Sequence, residues 1–332
     1  MAVNGAPRVD VTVELPEGHS RDTARYEHAA ATTLKVMGEW LAPFPDAAVS
    51  VTADRTPWWT ATASMAEEYA VARPLSRRYW ERLVDLRAMP PPLVDALVEY
   101  SARRVVSKVV DEQYFAVYRA RAEGRYFGGF VPRDLRARVA MDSGGDRMLR
   151  TLGTLERWTG TPVFDAIILE FVNASKGAQP TFGDFTGVAS RVSGQDLAWL
   201  LAAAGPGPVD YAVEALESRP DAGGLFHTTV TVRRLGDGIV ARAIPVETRF
   251  ADGESVRERW DSRSVSETFE YRSPSRAVSA DVDPDRVLLL DEKRANNGMT
   301  LDPGPARTAA NRWSARWMIW LEDALLTYVA FT

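Results

Sequence analysis

Val9, Val11, Val13 and Leu15 alternate with polar positions, a period of two that predicts a β-strand closed by Pro16 and Gly18. From Asp22 the period changes. Tyr26, Ala30, Leu34, Met37 and Leu41 recur at steps of three and four, the stripe of an amphipathic helix, and Pro43 and Pro45 end it. Ala48 to Ala53 predicts a short second strand. Residues 74–204 then read as mainly helical. Pro74 suits the first turn of a helix reaching about Leu86, and Pro90, Pro91 and Pro92 open another with Leu93, Leu97, Tyr100 and Val105 inward. Further helices are predicted at about 145–158, 161–173 and 181–191, with a short last one over 194–203. Thr181 and Asp184 have the spacing of a capping box.

Gly205, Pro206, Gly207 and Pro208 mark a boundary, after which the pattern becomes β. Phe226, Thr228, Val230 and Val232 share one face, a turn follows at Leu235–Gly238, and Val240, Ile244, Val246 and Phe250 continue on one face. Two or three more strands run to Val282, and this spacing of strands and turns suggests a small β-sandwich. Residues 307–330 read as one helix carrying Trp313, Trp317, Trp320, Leu321, Ala324 and Tyr328 on one side.

Composition narrows the chemistry. Among 332 residues there is no cysteine, which removes disulfides, thiolate zinc sites and thiol catalysis, and there are three histidines, His19, His28 and His227, no two at ligand spacing. The net charge of −5 gives no case for nucleic acid, which needs a clustered positive surface. The first residues lack the cationic start and apolar run of a signal peptide, and no apolar stretch is long enough to span a membrane, so the expected location is cytoplasmic. The glycine pairs Gly128–Gly129 and Gly144–Gly145 lack the strand–helix context of a phosphate loop and read as turns.

Four stretches carry a resemblance. ARYEHAAATTLKVMGEWLAPFP (24–45) resembles a lead-in helix ending in a proline turn, and PLVDALVEYSARRVV (92–106) a helix of the L-x-E-G-x-A-x-Y type. QPTFGDFTGVASRVSGQDLAWLL (179–201) and VDPDRVLLLDEKRANN (282–297) resemble two later segments. In this order they resemble the gluzincin zinc aminopeptidases, the relatives of membrane alanyl aminopeptidase, over residues 8 to about 300. That family's large N-terminal β-domain has no counterpart here save the strand at Val9–Leu15. The resemblance implies an α+β fold: a thermolysin-like, mainly helical domain followed by a small C-terminal β-sandwich and a terminal helix. The corresponding division is a remnant strand in 1–20, the helical domain in 21–204, the sandwich in 209–297 and the helix in 306–332.

Catalysis in the family uses H-E-x-x-H on one helix, two histidines holding zinc and a glutamate acting as base, with a third ligand from the next helix. Laid on this chain, the motif reads Arg73-Pro74-Leu75-Ser76-Arg77-Arg78-Tyr79-Trp80. Arginines stand at both histidine positions and Pro74 at the base. Asp95 falls near the third ligand position, one residue off the usual spacing, with Glu99 and Tyr100 just beyond. Arginine offers no lone pair and proline no acid–base group. The transition-state tyrosine would fall near Asp146, where there is none, and the amine-anchoring loop is reduced to Ser64-Met65-Ala66-Glu67. The plainer reading is that Arg73 and Arg77 are surface arginines on an amphipathic helix.

The expected function is that of a pseudoenzyme: a non-catalytic aminopeptidase homologue with no cofactor, which binds a peptide or protein partner at the cleft around Arg73, Pro74, Arg77, Asp95, Glu99 and Tyr100. An active metallo-aminopeptidase with a site rebuilt from Asp95, Glu99 and a distant histidine is the alternative. A structural module with a filled cleft is the third reading. The tryptophan stripe at the C-terminus is expected to pack on protein, peripheral contact with a membrane or membrane protein being its other reading. An ion pair between Arg77 or Arg73 and Asp95 or Glu99 is expected in place of the metal crosslink.

Overall fold

The computed structural model describes residues 9–15, 23–53, 66–109, 144–203, 207–240 and 242–301. Among these are seven α-helices and nine strands in three sheets. The chain divides into two compact units. Of the described residues, the first takes 9–203 and Val287–Leu290, and the second takes 207–286 and 291–301.

The first unit opens with a βαβ arrangement. Strand β1 (Asp10–Glu14) pairs in parallel with β2 (Ala48–Thr52), Val11 beside Val49 and Val13 beside Val51, and helix α1 (Thr23–Trp40) makes the crossover. A parallel pair cannot be joined by a tight turn, so a connection of this length is required. The valine face of this sheet packs against Tyr26, Ala29 and Ala30 of α1 and against Ala70, Val71 and Leu75 of α2 (Ala66–Leu83). After a short 3-10 turn at Leu86–Ala88 come α3 (Pro91–Val109), α4 (Gly144–Thr159), α5 (Thr161–Ala174), α6 (Phe182–Ser193) and α7 (Ala198–Ala203). The predicted capping box is present at α6: the Thr181 backbone N–H donates to Asp184 Oδ2 at 2.7 Å, and the Asp184 N–H donates to Thr181 Oγ1 at 3.3 Å. Gly194, in the left-handed region at φ 66°, ends the helix.

The second unit has two antiparallel sheets. Strands β3 (Tyr211–Pro220), β4 (Phe226–Arg234) and β7 (Ser266–Ser273) form one in the order β3-β4-β7. Strands β5 (Ala243–Phe250), β6 (Ser255–Asp261), β8 (Ala277–Val282) and β9 (Gly298–Thr300) form the other in the order β6-β5-β8-β9. Val230, Val232, Ile244, Val246 and Trp260 are buried, as their alternation requires. Trp260 meets Tyr211 edge-on at 5.4 Å, and the Tyr211 hydroxyl accepts the Val240 N–H at 3.0 Å.

The expected layout, a thermolysin-like helical domain first, then a β-sandwich, then a terminal helix, is corrected by this structure. The first unit carries its own parallel sheet, because the valines of β1 and β2 need each other's backbone as well as the cover of α1 and α2. The units are also not consecutive segments: Val287–Leu290 returns to the first unit, where the Leu289 N–H donates to Thr154 Oγ1 of α4 at 3.0 Å. The terminal helix predicted at 307–330 lies outside the described residues. Two elements are also corrected. Helix α2 starts at Ala66, so Pro74 lies in its interior instead of its first turn, and β3 is a strand that the pattern of alternation did not predict.

Candidate functional site

The candidate residues stand on α2 and α3. Val71, Ala72, Leu75, Ser76, Tyr79 and Trp80 of α2 are fully buried, and they decide how the helix lies on its neighbours. Trp80 Nε1 donates to Ser101 Oγ of α3 at 3.0 Å, and Ser101 Oγ donates to the Leu97 carbonyl at 2.7 Å, a chain that leaves no polar hydrogen of the pair unused. Burial pushes the Tyr79 phenol up to about 12, so it remains a donor, and its hydroxyl lies 3.5 Å from the Leu34 carbonyl.

With that face fixed, the flank of α2 facing α3 carries Arg73 and Arg77. Arg77 Nη2 donates to Asp95 Oδ1 at 2.5 Å, and Arg73 Nε lies 3.5 Å from Glu99 Oε2. One helical turn back along α2 matches one turn forward along α3, so the helices run antiparallel and each arginine meets a carboxylate. Glu99 is the busier acid. Arg103 Nε donates to its Oε1 at 2.8 Å, and the Tyr69 hydroxyl donates to its Oε2. Its side chain is 18% exposed, against 49% for Asp95.

Pro74 lies on the same helix between the two arginines and presents no titratable group. Tyr100 turns elsewhere. Its ring lies 4.9 Å from Phe164 and 5.9 Å from Trp40, and burial drives its hydroxyl upward and keeps it protonated. Beside it Arg104 stacks 4.4 Å over Trp40 and grips Asp165 through two bonds of 2.6 and 2.7 Å. Tyr100 thus belongs to an aromatic junction of α1, α3 and α5.

An open cleft of about 1010 Å³ lies beside Arg77 and Asp95. Its walls are the end of α2, the 3-10 turn, the start of α3 and the segment after α5, with Ser175, Gly177, Ala178 and Gln179. Leu83, Val84, Leu86, Met89, Pro91 and Val94 supply apolar surface, and Arg77, Glu81, Arg82, Asp85, Arg87 and Asp95 supply charge. Asp85 accepts from Arg87 Nε at 2.8 Å and Arg87 Nη2 at 2.5 Å. The hydrogen bond from Arg87, helped by the Gln179 carboxamide, holds the Asp85 carboxyl well below the usual carboxylate range. Gln179 stands on the opposite wall, in the segment after α5. Neither Asp85 nor Gln179 stood out in the sequence, because nothing local announces a contact across that distance along the chain.

Of the six candidates, Arg77 and Asp95 line the cleft, Arg73 and Glu99 form the next pair along, and Pro74 and Tyr100 contribute no group to it. The donor set does not fit zinc. Two guanidiniums offer no lone pair, and they face the carboxylates that a metal at these positions would use. Among the described residues, no group of three histidine, cysteine or acidic side chains could hold a metal ion. His28 is exposed, and His227 lies 3.5 Å from Glu270 on the outer side of β4. Also among the described residues, no helix is long and apolar enough to cross a membrane.

No protein-family model matches the chain, nor does any curated protein. Among solved structures it is similar to the aminopeptidase A of Legionella pneumophila, whose crystal structure was determined in complex with aspartic acid. The TM-score is 0.54 at 12% identity, and the match covers 85% of this chain and 36% of that one. At this identity the likeness concerns the fold, which is peptidase-like. The chain spans little more than a third of that protein's length.

Proposed function

We propose that this chain is a non-catalytic homologue of a gluzincin aminopeptidase, acting as a binding or assembly subunit that takes a peptide or protein segment into the cleft beside Arg77. The observation that carries the reading is the pairing of Arg77 with Asp95 at the mouth of an open cleft of about 1010 Å³. A guanidinium–carboxylate bridge joins the two helices where a metal would join them in the enzymes that the motif resembles, and the neighbouring volume has stayed open. Such a volume suits a peptide-sized ligand better than it suits a purely structural module. The peptidase-like fold supports the same reading.

The test combines metal content, turnover and binding. Protein purified without chelators is expected to carry far less than one zinc per chain and to give no chelator-sensitive turnover of aminoacyl reporter substrates. It is expected to bind peptides in fluorescence anisotropy, and Val94→Arg, which fills the cleft, is expected to abolish that binding. Stoichiometric zinc, with turnover that disappears in Asp95→Ala, would establish an active metallopeptidase instead. A protein with neither turnover nor peptide binding would be a structural module.

A further inference from the structure

The chain leaves β8 at Asp283 and comes back at Asp291, and the loop between them, 284–290, buries Leu288, Leu289 and Leu290. Asn297 holds both ends of this loop. Its backbone carbonyl accepts the Val282 N–H at 2.7 Å, and its side-chain Nδ2 donates to Asp291 Oδ2 at 2.8 Å. The Asp283 N–H donates to the Pro245 carbonyl and the Glu292 N–H to the Val209 carbonyl, each at 2.9 Å. The loop is strained where it departs. Asp283 and Arg286 have φ of 51° and 55°, the left-handed region that residues with a Cβ rarely occupy, and an open loop would let both relax.

Asp291 is the end that can change state. Its carboxyl is buried, and the donors on its two oxygens, Asn297 Nδ2 and the Lys293 N–H, are both neutral. Asp210, which accepts from Asn296 Nδ2 at 2.9 Å, faces it from just before β3 and repels a charge placed on it. Arg294 attracts such a charge, but its Nη2 also lies 3.7 Å from Oδ2 of the buried Asp283. Tyr211 of β3 is kept protonated by burial, and the side chains of Glu292 and Lys293 are exposed. A charge on Asp291 is therefore poorly supported for as long as the loop is closed.

We propose that Asp291 and Asn297 form a proton-dependent clasp: the protonated carboxyl keeps Leu288–Leu290 docked against α4, and loss of the proton to water favours a local opening that frees the loop. Opening hands the carboxyl to solvent, where it titrates near 4, whereas in the closed form burial holds it up at about 7. Below about pH 4 both forms hold the proton, and opening does not depend on pH. From there to about pH 7 only the closed form holds it, so each pH unit favours opening by about tenfold. Above about pH 7 both forms are ionised and the balance is constant.

Hydrogen exchange at the Leu289 amide, which donates to Thr154 Oγ1 of α4, tests the clasp once its rate is divided by the intrinsic rate at each pH. Protection is expected to fall about a hundredfold between about pH 5 and about pH 7, and to level off above. At about pH 7 it is expected to be at least about tenfold below that of Val230 and Val232 in β4, since a local opening exchanges ahead of the sheet. In Asp291→Asn the protection should not vary with pH, and in Asp283→Asn, which alters the other end of the loop, the fall should persist. A fall that survives Asp291→Asn, or that disappears in Asp283→Asn, overturns the assignment to Asp291. Protection of Leu289 that is constant with pH, or equal throughout to that of Val230 and Val232, overturns the clasp, the second because the loop would open only with the whole molecule. Should Asp291→Asn fail to fold, the carboxyl carbon resonance of Asp291 in the parent protein decides. A midpoint near pH 7 is expected, and one near pH 4 overturns the proposal.

Discussion

Glu99 accepts from Arg103 and Tyr69 and lies 3.5 Å from the Arg73 guanidinium, whereas among the described residues Asp95 accepts from Arg77 alone. Their exposures differ in the same sense, 18% against 49%. An exposed ion pair gains little over its hydrated partners, so Asp95→Ala is expected to change the unfolding free energy by less than about 1 kcal/mol. Glu99→Ala removes a shared, half-buried acceptor of charged donors and is expected to cost about 1–3 kcal/mol. Urea unfolding of both variants measures the difference, and equal costs would mean that Glu99 is no hub. Asp291 behaves differently because its cost is burial. It is 4% exposed and is pushed up to about 7 chiefly by loss of water, with the Asn297 carboxamide and the Lys293 N–H acting against the shift. In the unfolded chain the same carboxyl titrates near 4. Between about pH 4 and about pH 7 the folded state therefore holds the proton that the unfolded state has lost, so this group's contribution to stability falls as pH rises through that window. Asp291→Asn should remove that fall, gaining on the parent protein from about pH 4 to about pH 7 and holding a constant difference above it. The Asn297 Oδ1, which has no partner, can turn to accept from the new amide. Parallel pH profiles for the two proteins would refute the assignment.

At the scale of elements, the legible ones were those whose periodicity is unbroken. The alternation at Val11 and Val13, the 3–4 steps of α1 and the Thr181–Asp184 box each lie where the pattern puts them. Strand β3 was missed because Glu214 and Glu217 have weak strand preference and because a bulge between Val213 and Ala215 breaks the alternation on which detection depends. The start of α2 was misread because Pro74 looks like a first-turn proline and sits in the interior. An interior proline withholds an N–H from the carbonyl four residues back, here Ala70, and its ring crowds that turn. Pro74→Ala should restore the bond and raise stability by about 1–3 kcal/mol. If Pro74 opened the helix instead, its fixed φ would help and the same change would be neutral or harmful. Denaturant melts of Pro74→Ala thus test the helix boundary directly. The arginine–carboxylate pairing of the candidate site was legible for the same reason as α1. Two residues at i and i+4 on each helix share a face whatever the tertiary structure does, and facing acids and bases then find each other.

For the whole molecule, what the sequence hides is contact between positions far apart in it. The parallel pairing of β1 with β2, the wall that Gln179 supplies to the cleft, and the return of Val287–Leu290 to the first unit leave no periodic trace. The last of these ties a segment far along the chain to the earlier helices. The Leu289 N–H donates to Thr154 Oγ1 at 3.0 Å, across 135 residues, with Thr154 fully buried and Leu289 8% exposed. The Leu289 side chain approaches so closely that a methyl group on Gly153 would meet its Cδ1 at 2.6 Å. Thr154 therefore acts as the acceptor that makes burial of this returning segment tolerable, since a buried N–H without a partner carries its full desolvation cost. Thr154→Val keeps the shape of the side chain and deletes the acceptor, so it is expected to lower stability by about 1–3 kcal/mol. Thr154→Ser keeps the acceptor and loses a methyl group, and is expected to cost less, on the order of 1 kcal/mol. The first unit should then depend on a segment remote from it in sequence: a chain ending at residue 206 lacks Leu289 and should melt lower than the same helices do in the full chain. Equal stability of the Thr154→Val and Thr154→Ser proteins, together with an unshifted melt of the shortened chain, would show that the return segment contributes nothing to the helices it lies on.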